Sequence, residues 1–223
     1  MNGPDIMMND QEQLKFVQKL YPSVSRETFS ELSKYVDLVR KWQPAQNLIA
    51  PSTMGEIWLR HVADCIQIQQ TLPEAKSWID FGSGAGFPGL VTAILLRDQP
   101  EAVVHMVESN QRKVAFLRTV ARETGCNVKV HAGRIEKVTA GWQEPIDGVS
   151  ARALANLKML CDFSHQFISR GARAVFHKGK DYQREIEEAS HFYELDLIEK
   201  ESLIDPLSRV LVISKMGARA PTK

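Results

Sequence analysis

Asp80 is followed by a glycine at every second position, Gly82, Gly84 and Gly86, and then by Phe87-Pro88-Gly89. Closely spaced glycines let a chain turn tightly, adopt positive φ and bring bare backbone N–H groups against a ligand. Before them, Trp78-Ile79-Asp80-Phe81 is a short apolar run of strand type. After them, Leu90-Val91-Thr92-Ala93-Ile94-Leu95-Leu96 continues with helical character. Strand, glycine turn and helix in that order open a nucleotide-type binding fold. Glu108 ends a second apolar run about twenty residues past the glycines, where a carboxylate can accept from ribose hydroxyls.

Two ligand registers fit the turn. Gly84-x-Gly86-x-x-Gly89 is the dinucleotide fingerprint, and Gly82-x-Gly84-x-Gly86 is the turn of S-adenosylmethionine enzymes. Asp80 favours the second. It stands at the strand end, where its carboxylate can meet a cationic, amino-acid-bearing ligand directly or through water. The dinucleotide register also leaves a longer loop after that acid than the fingerprint wants. Glu108 serves either ligand. A third run, Val128–His131, leads into Ala132-Gly133-Arg134-Ile135-Glu136, expected as a loop beside the adenine pocket. There Ile135 can pack on the purine and Glu136 can accept from its amino group. A fourth delivers Ser150-Ala151-Arg152-Ala153-Leu154 to the same rim. No Asn-Pro-Pro-Tyr run, the signature of many enzymes that methylate exocyclic amines, occurs here. Arg152 is the only charge in its stretch, suited to holding cofactor or substrate or to a salt bridge with an acid near the sheet edge.

These residues need a scaffold, and the apolar spacing describes one. The first third is helical. One helix is expected over Gln11–Leu20, and another from Ser23 or Ser25 to just before Pro44. A third opens at the capping box Thr53-Met54-Gly55-Glu56 and runs to about Thr71. From Ser77 strands and helices alternate: strands at Ser77–Phe81, Val103–Glu108, Val128–His131, Ile146–Ser150 and Ala172–Phe176 are followed by helices at Phe87–Arg97, Asn110–Thr124, Leu154–Ser169 and Tyr182–Ala189. Leu195–Leu203 and Arg209–Ser214 read as a hairpin around Asp205-Pro206. The expectation is an α/β fold with a mostly parallel seven-stranded sheet, one antiparallel edge strand and an N-terminal helical extension. The division is residues 1–74 for the extension and 75–223 for the sheet domain.

Composition narrows the class. The chain has 223 residues, and its net charge of +1 gives no global pull toward nucleic acid, so any RNA site is a local patch. Three cysteines, Cys65, Cys126 and Cys161, are odd in number and far apart, which fits a reducing cytoplasm and neither a disulfide framework nor a metal site. Met1-Asn2-Gly3-Pro4-Asp5 lacks the basic-then-apolar pattern of a secretory signal, and no run is long enough for a membrane span. Residues 1–10 are expected to be a frayed terminus.

The motifs Lys41-Trp42 with Asn47-Leu48, Arg60-His61-x-x-Asp64, Asp80 to Gly89, Glu108 with Arg112-Lys113, Asp147 to Ala155, and Lys178-Gly179 together resemble those of the bacterial small-subunit ribosomal RNA (guanine-N7) methyltransferases, also called glucose-inhibited division protein B. The resemblance runs from about Lys41 to the C-terminal strand. It implies a Rossmann-like class I methyltransferase fold, S-adenosylmethionine as methyl donor and cofactor positions at Gly82, Phe87, Ile135, Glu136 and Arg152. The implied target is one guanine in a loop of 16S ribosomal RNA, in the small subunit or an assembly intermediate of it. A cytoplasmic monomer without metal or membrane follows. Gln43, Cys65 and Ala151 depart from the residues expected at their positions, Asn, Ser and Ser, and bear on the RNA-facing surface. On the substrate side the candidates are Arg152 first, as a positioning cation, then Lys178, with Arg60, His61, Arg112 and Lys113 for RNA. Trp42 and Trp58 read as core aromatics. Two other functions stay open: an NAD-dependent dehydrogenase, and a non-catalytic ribosome- or RNA-binding protein with a decayed pocket.

Overall fold

The computed structural model describes residues 8–219. Most of the expected frayed terminus, including Met1–Asp5, lies outside that range. Within it, Asn9 and Glu12 form a reciprocal capping box that starts α1 (Asp10–Leu20). Ser25 caps α2 (Arg26–Gln46), whose buried face is Phe29, Leu32, Tyr35, Val36 and Val39. This helix does not stop before Pro44. Proline in the last turn forfeits a single bond, and Asn47 in the left-handed conformation closes the helix by donating to Gln43 O.

The capping box expected at Thr53–Glu56 is not formed. Pro51 opens a 3-10 turn (Pro51–Glu56) two residues earlier, and the Thr53 hydroxyl donates to Ala50 O at 2.9 Å. The path continues through a π-turn (Trp58–Ala63) into α3 (Asp64–Thr71).

The sheet strands are β1 (Ser77–Phe81), β2 (Val103–Glu108), β3 (Val128–Ala132), β4 (Gly148–Arg152), β5 (Arg173–Lys178), β6 (Tyr193–Glu201) and β7 (Arg209–Ala218). Their order is β3-β2-β1-β4-β5-β7-β6. The first five are mutually parallel, as the strand–helix alternation requires. The strand of reversed sense, β7, lies one place inside the edge, between β5 and the edge strand β6.

The connecting helices are α4 (Gly89–Leu95), α5 (Gln111–Thr124), α6 (Ile135–Thr139), α7 (Leu157–Ile168) and α8 (Tyr182–Ser190). One face of the sheet is covered by α4 and α5 together with the N-terminal helices, in a core reaching from Val17 through Trp78 and Met106 to Phe116. The other face carries α6, α7 and α8 over Ile79, Phe81, Val107 and Phe176. The expected loop after β3 holds the five-residue α6, too short to leave a periodic pattern. The helix after β4, α7, begins only at Leu157, with the Asn156 side chain accepting from Met159 N–H, so Ala153–Asn156 is free to line a cleft.

Candidate active site

The chain order reverses between β1 and β4, and a crevice opens past the carboxyl ends of β1, β2, β3 and β4, where open parallel sheets bind ligands. It holds two joined cavities, and the glycine turn forms their floor. Gly82 and Gly84 have φ of +61° and +58°, a region that penalises any residue with a Cβ. The turn is pinned from two sides. Ser83 N–H donates to Val107 O at 3.1 Å, and from the helical extension the Tyr35 hydroxyl donates to Ala85 O at 2.7 Å.

Asp80 lies behind this turn. It is fully buried, accepts the Ser150 hydroxyl on Oδ1 at 2.7 Å, and lines neither cavity. Its Oδ2 faces the Gly89 backbone without a hydrogen bond of full geometry; a Cβ on Gly89 would stand 2.7 Å from it. Burial, only partly offset by the Ser150 hydroxyl and by the nearby Ser83 and Gly89 donors, pushes the carboxyl up to about 6. Asp80 thus sits between the turn and the start of α4 and presents no surface to either cavity.

The first cavity, about 410 Å3, is bordered by Gly82, Gly84, Glu108, Lys113, Gly133, Arg134, Ile135 and Glu136, and roofed by Leu154, Met159 and Phe163. Glu108, only 8% exposed, accepts Gly84 N–H on Oε2 at 2.8 Å and Asn110 N–H on Oε1 at 2.7 Å. Each carboxylate oxygen keeps a second lone-pair site. Ile135 is buried at the start of α6, and Glu136 is exposed on the rim. Arg134 and Leu154 lie in stretches expected at the rim but have no individual role assigned from the sequence, while Met159 and Phe163 belong to no motif. The apolar character of the roof is legible, but only the fold turns it toward the cleft.

The second cavity, about 330 Å3, shares Gly82, Gly84, Lys113 and Ala153 with the first and extends to Leu48, Ile49, Ala50, Thr53, His61, Phe87 and Arg152. Ala153 has φ of +51°, uncommon for a residue with a Cβ and costing on the order of 1–2 kcal/mol. Phe87 packs on Tyr35 and on His61, both with ring centroids 5.0 Å away. Arg152 donates from Nη1 to His61 Nδ1 at 2.9 Å and from Nη2 to Arg60 O at 2.6 Å. The salt bridge that the sequence allowed as its structural role is not formed: among the described residues no carboxylate lies within salt-bridge distance of it.

The other substrate-side candidates divide. Lys113 lines both cavities, and Arg112 is exposed beside it on the first turn of α5. Arg60 is exposed and pairs loosely with Glu56 at 3.6 Å. His61 is buried, and burial together with the Arg152 charge lowers its pKa to about 3, so it is not a cation for phosphate. Lys178 is turned away: it is buried, paired with Glu185 at 2.6 Å, and donates to Ala155 O at 2.8 Å. Glu185 also accepts Leu157 N–H at 2.7 Å, so this ion pair clamps the Ala153–Asn156 segment. The departures Cys65 and Ala151 are buried and contribute no surface. Gln43 brackets Ile49, donating to its carbonyl at 2.8 Å and accepting its N–H at 3.1 Å, and so holds one wall of the second cavity. Trp42 packs edge-on against Phe116, and Trp58 is buried.

These environments make stability depend on pH. His61 and His105 fall from 6.5 to about 3 and about 4, both chiefly through burial. Between 6.5 and those values the unfolded chain binds more protons, so stability present above 6.5 is lost as pH falls. Asp80, raised from 3.8, contributes in the opposite direction below about 6. Two histidines outweigh one carboxyl, so the thermal midpoint should drop steadily from neutral pH to about pH 4. His61→Asn should reduce the drop; a midpoint flat over that range would contradict the assignment.

The reversed β7 departs from the all-parallel 3-2-1-4-5-6 dinucleotide order, which weighs against the dehydrogenase reading. Comparison with known proteins agrees. Among solved structures, the chain is similar to cofactor-bound Rv0187 from MTB, with a TM-score of 0.62 at 12% identity over 93% of this chain and 99% of that one. It is also similar to the O-methyltransferase TomG from Streptomyces achromogenes in complex with SAM, with a TM-score of 0.56 at 14% identity over 93% and 100%. These likenesses establish the class I methyltransferase fold. In sequence, it is 44% identical to ribosomal RNA small subunit methyltransferase G of Rhizobium meliloti (strain 1021) over 88% of this chain and 93% of the relative. It is 47% identical to the protein of that name from Rhizobium etli (strain ATCC 51251 / DSM 11541 / JCM 21823 / NBRC 15573 / CFN 42) over 86% and 95%. The family model for rRNA small subunit methyltransferase G, GidB, matches residues 28–207. The chain belongs to the rRNA small subunit methyltransferase G family.

Proposed function

We propose that the protein transfers a methyl group from S-adenosylmethionine to N7 of a guanine in 16S ribosomal RNA, acting in the cytoplasm as a monomer without a metal. Family membership supports rRNA methylation, and the two joined cavities support the division of labour. The first fits a nucleoside. It has a glycine floor that admits close approach, the Glu108 carboxylate for ribose hydroxyls, and Ile135 with the Leu154, Met159 and Phe163 roof for an adenine ring. S-adenosylmethionine, when bound there, supplies an activated methyl group. We read residues 1–74 as a helical extension that walls the second cavity through Leu48, Ile49 and Thr53, and 75–223 as the methyl-transfer domain.

One observation carries the choice of N7. The second cavity offers no free base. Its titratable lining residues are His61, Lys113 and Arg152. Arginine only donates, so its bond to Nδ1 requires that nitrogen to be bare, which leaves the ring proton on Nε2, facing Thr53 Oγ1 at 2.8 Å. Neither ring nitrogen is left to take a proton. Guanine N7 has an in-plane lone pair and no proton, so an acceptor of this type needs none removed. Catalysis then rests on alignment. Arg152 serves it by donating to guanine O6 or a phosphate, leaving N7 unblocked. Lys113 and Arg112 at the rim supply phosphate contacts, which makes binding salt-dependent.

The test is to incubate purified protein with labelled S-adenosylmethionine and small subunits from cells lacking it, then map the methyl group. A single N7-methylguanine in 16S rRNA is expected. Methyl on an exocyclic amine or on oxygen overturns the N7 assignment, and no incorporation favours the non-catalytic reading. Calorimetry with NAD in place of S-adenosylmethionine should show no heat; NAD binding alone would restore the dehydrogenase.

A further inference from the structure

Arg152 is held in an unusual way. A guanidinium in a half-buried wall is ordinarily pinned by a carboxylate, which also cancels its charge. Here the partner is an imidazole that has no charge to cancel. His61 accepts from Arg152 on Nδ1 at 2.9 Å, and its Nε2–H donates to Thr53 Oγ1 at 2.8 Å. The Thr53 hydroxyl in turn donates to Ala50 O at 2.9 Å. The ring is fixed from the side by Phe87. Ala50, Thr53, Phe87 and Arg152 all line the second cavity, so the chain of bonds begins and ends on its wall. The remaining backbone contact of Arg152, to Arg60 O, comes from the residue next to His61.

We propose that His61 is a positioning residue for methyl transfer: a neutral acceptor that aims the Arg152 guanidinium into the second cavity while leaving its full positive charge for the RNA, and that ties this aim to the Ala50–Thr53 turn. The inference rests on the reading that Arg152 acts on the acceptor base. A carboxylate at position 61 would give the same geometry with the charge lost. A group reaching only the Nε2 position would keep Thr53 and lose Arg152.

That contrast sets the test. Single-turnover methyl transfer to small subunits and calorimetric S-adenosylmethionine binding are measured for His61→Asn, His61→Asp, His61→Gln and Arg152→Ala. The asparagine amide oxygen stands in for Nδ1 as a neutral acceptor, so His61→Asn should keep the rate within about threefold of the parent, whereas His61→Asp and His61→Gln should lose about tenfold or more. Cofactor affinity should stay within about twofold in all three, since His61 lies outside the first cavity. Asp matching Asn overturns the charge argument, and Gln matching the parent overturns the role altogether. Full activity in Arg152→Ala would instead sink the underlying reading of Arg152. Should the variants not fold, nitrogen-15 NMR of the parent protein decides. His61 must keep a bare Nδ1 and a protonated Nε2 from about pH 5 to 8; a proton on Nδ1 refutes the proposal.

Discussion

Arg152→Ala is expected to lower the rate of methyl transfer about a hundredfold at saturating cofactor, the scale of removing one preorganised donor from an active site. The fold should survive. Arg152 is half-buried on an open cavity wall, and its two partners, His61 Nδ1 and Arg60 O, can turn to water there. The effect should lie in the chemical step and not in cofactor binding, because Arg152 borders the second cavity and not the first. Arg152→Lys should not rescue. An ammonium is a single point of charge and cannot hold Nδ1 of His61, the Arg60 carbonyl and a substrate oxygen in one plane as the guanidinium fork can. Single-turnover rates with labelled cofactor, alongside thermal midpoints, check both halves. A variant that folds and transfers methyl groups at the parent rate removes Arg152 from the mechanism.

How much of the site is legible in the sequence depends on how local each signal is. The glycine turn and Glu108 can be read because glycine takes positive φ without the strain a Cβ brings, and because an acid at the end of a second strand has few other uses in such a fold. Asp80 can be read as necessary, but its direction requires the period-two alternation of β1. Trp78 faces the α4 and α5 side while Ile79 and Phe81 face the α7 side, so Asp80 points back under the helix start, beside Met106 and Gly89. Lys178 shows its charge but not its partner. Glu185 meets it only because α8 folds back beside the end of β5, and the pair then serves Ala155 and Leu157. The contact between His61 and Arg152 spans 91 positions and belongs to no spacing pattern. The same is true of the second cavity. Leu48 and Ile49 stand out as apolar anchors after Asn47, but only the packing of α2 on α5 and α4 brings them over the glycine turn.

Glu108→Ala is expected to weaken S-adenosylmethionine binding about a hundredfold, more than the loss of one ribose hydrogen bond would cost. The carboxylate has two duties. It faces the first cavity as an acceptor, and it gathers the N–H groups of Gly84 and Asn110 at 2.8 and 2.7 Å. Removing it frees the glycine floor and the first turn of α5 together, so cofactor binding must also supply the energy to reorder them. Glu108→Gln separates these duties. The amide keeps the volume and one acceptor oxygen, but its NH2 must face either Gly84 N–H or Asn110 N–H, donor against donor. Gln should therefore bind nearly as poorly as Ala, while Asp, one methylene shorter, keeps the charge and recovers part of the affinity. Calorimetric titration of the three variants gives the order directly. If Gln binds like the parent protein, the backbone contacts of Glu108 do not order the floor, and its contribution reduces to the ribose alone. If all three bind like the parent, the ligand does not lie against β2, and the nucleoside reading of the first cavity is wrong.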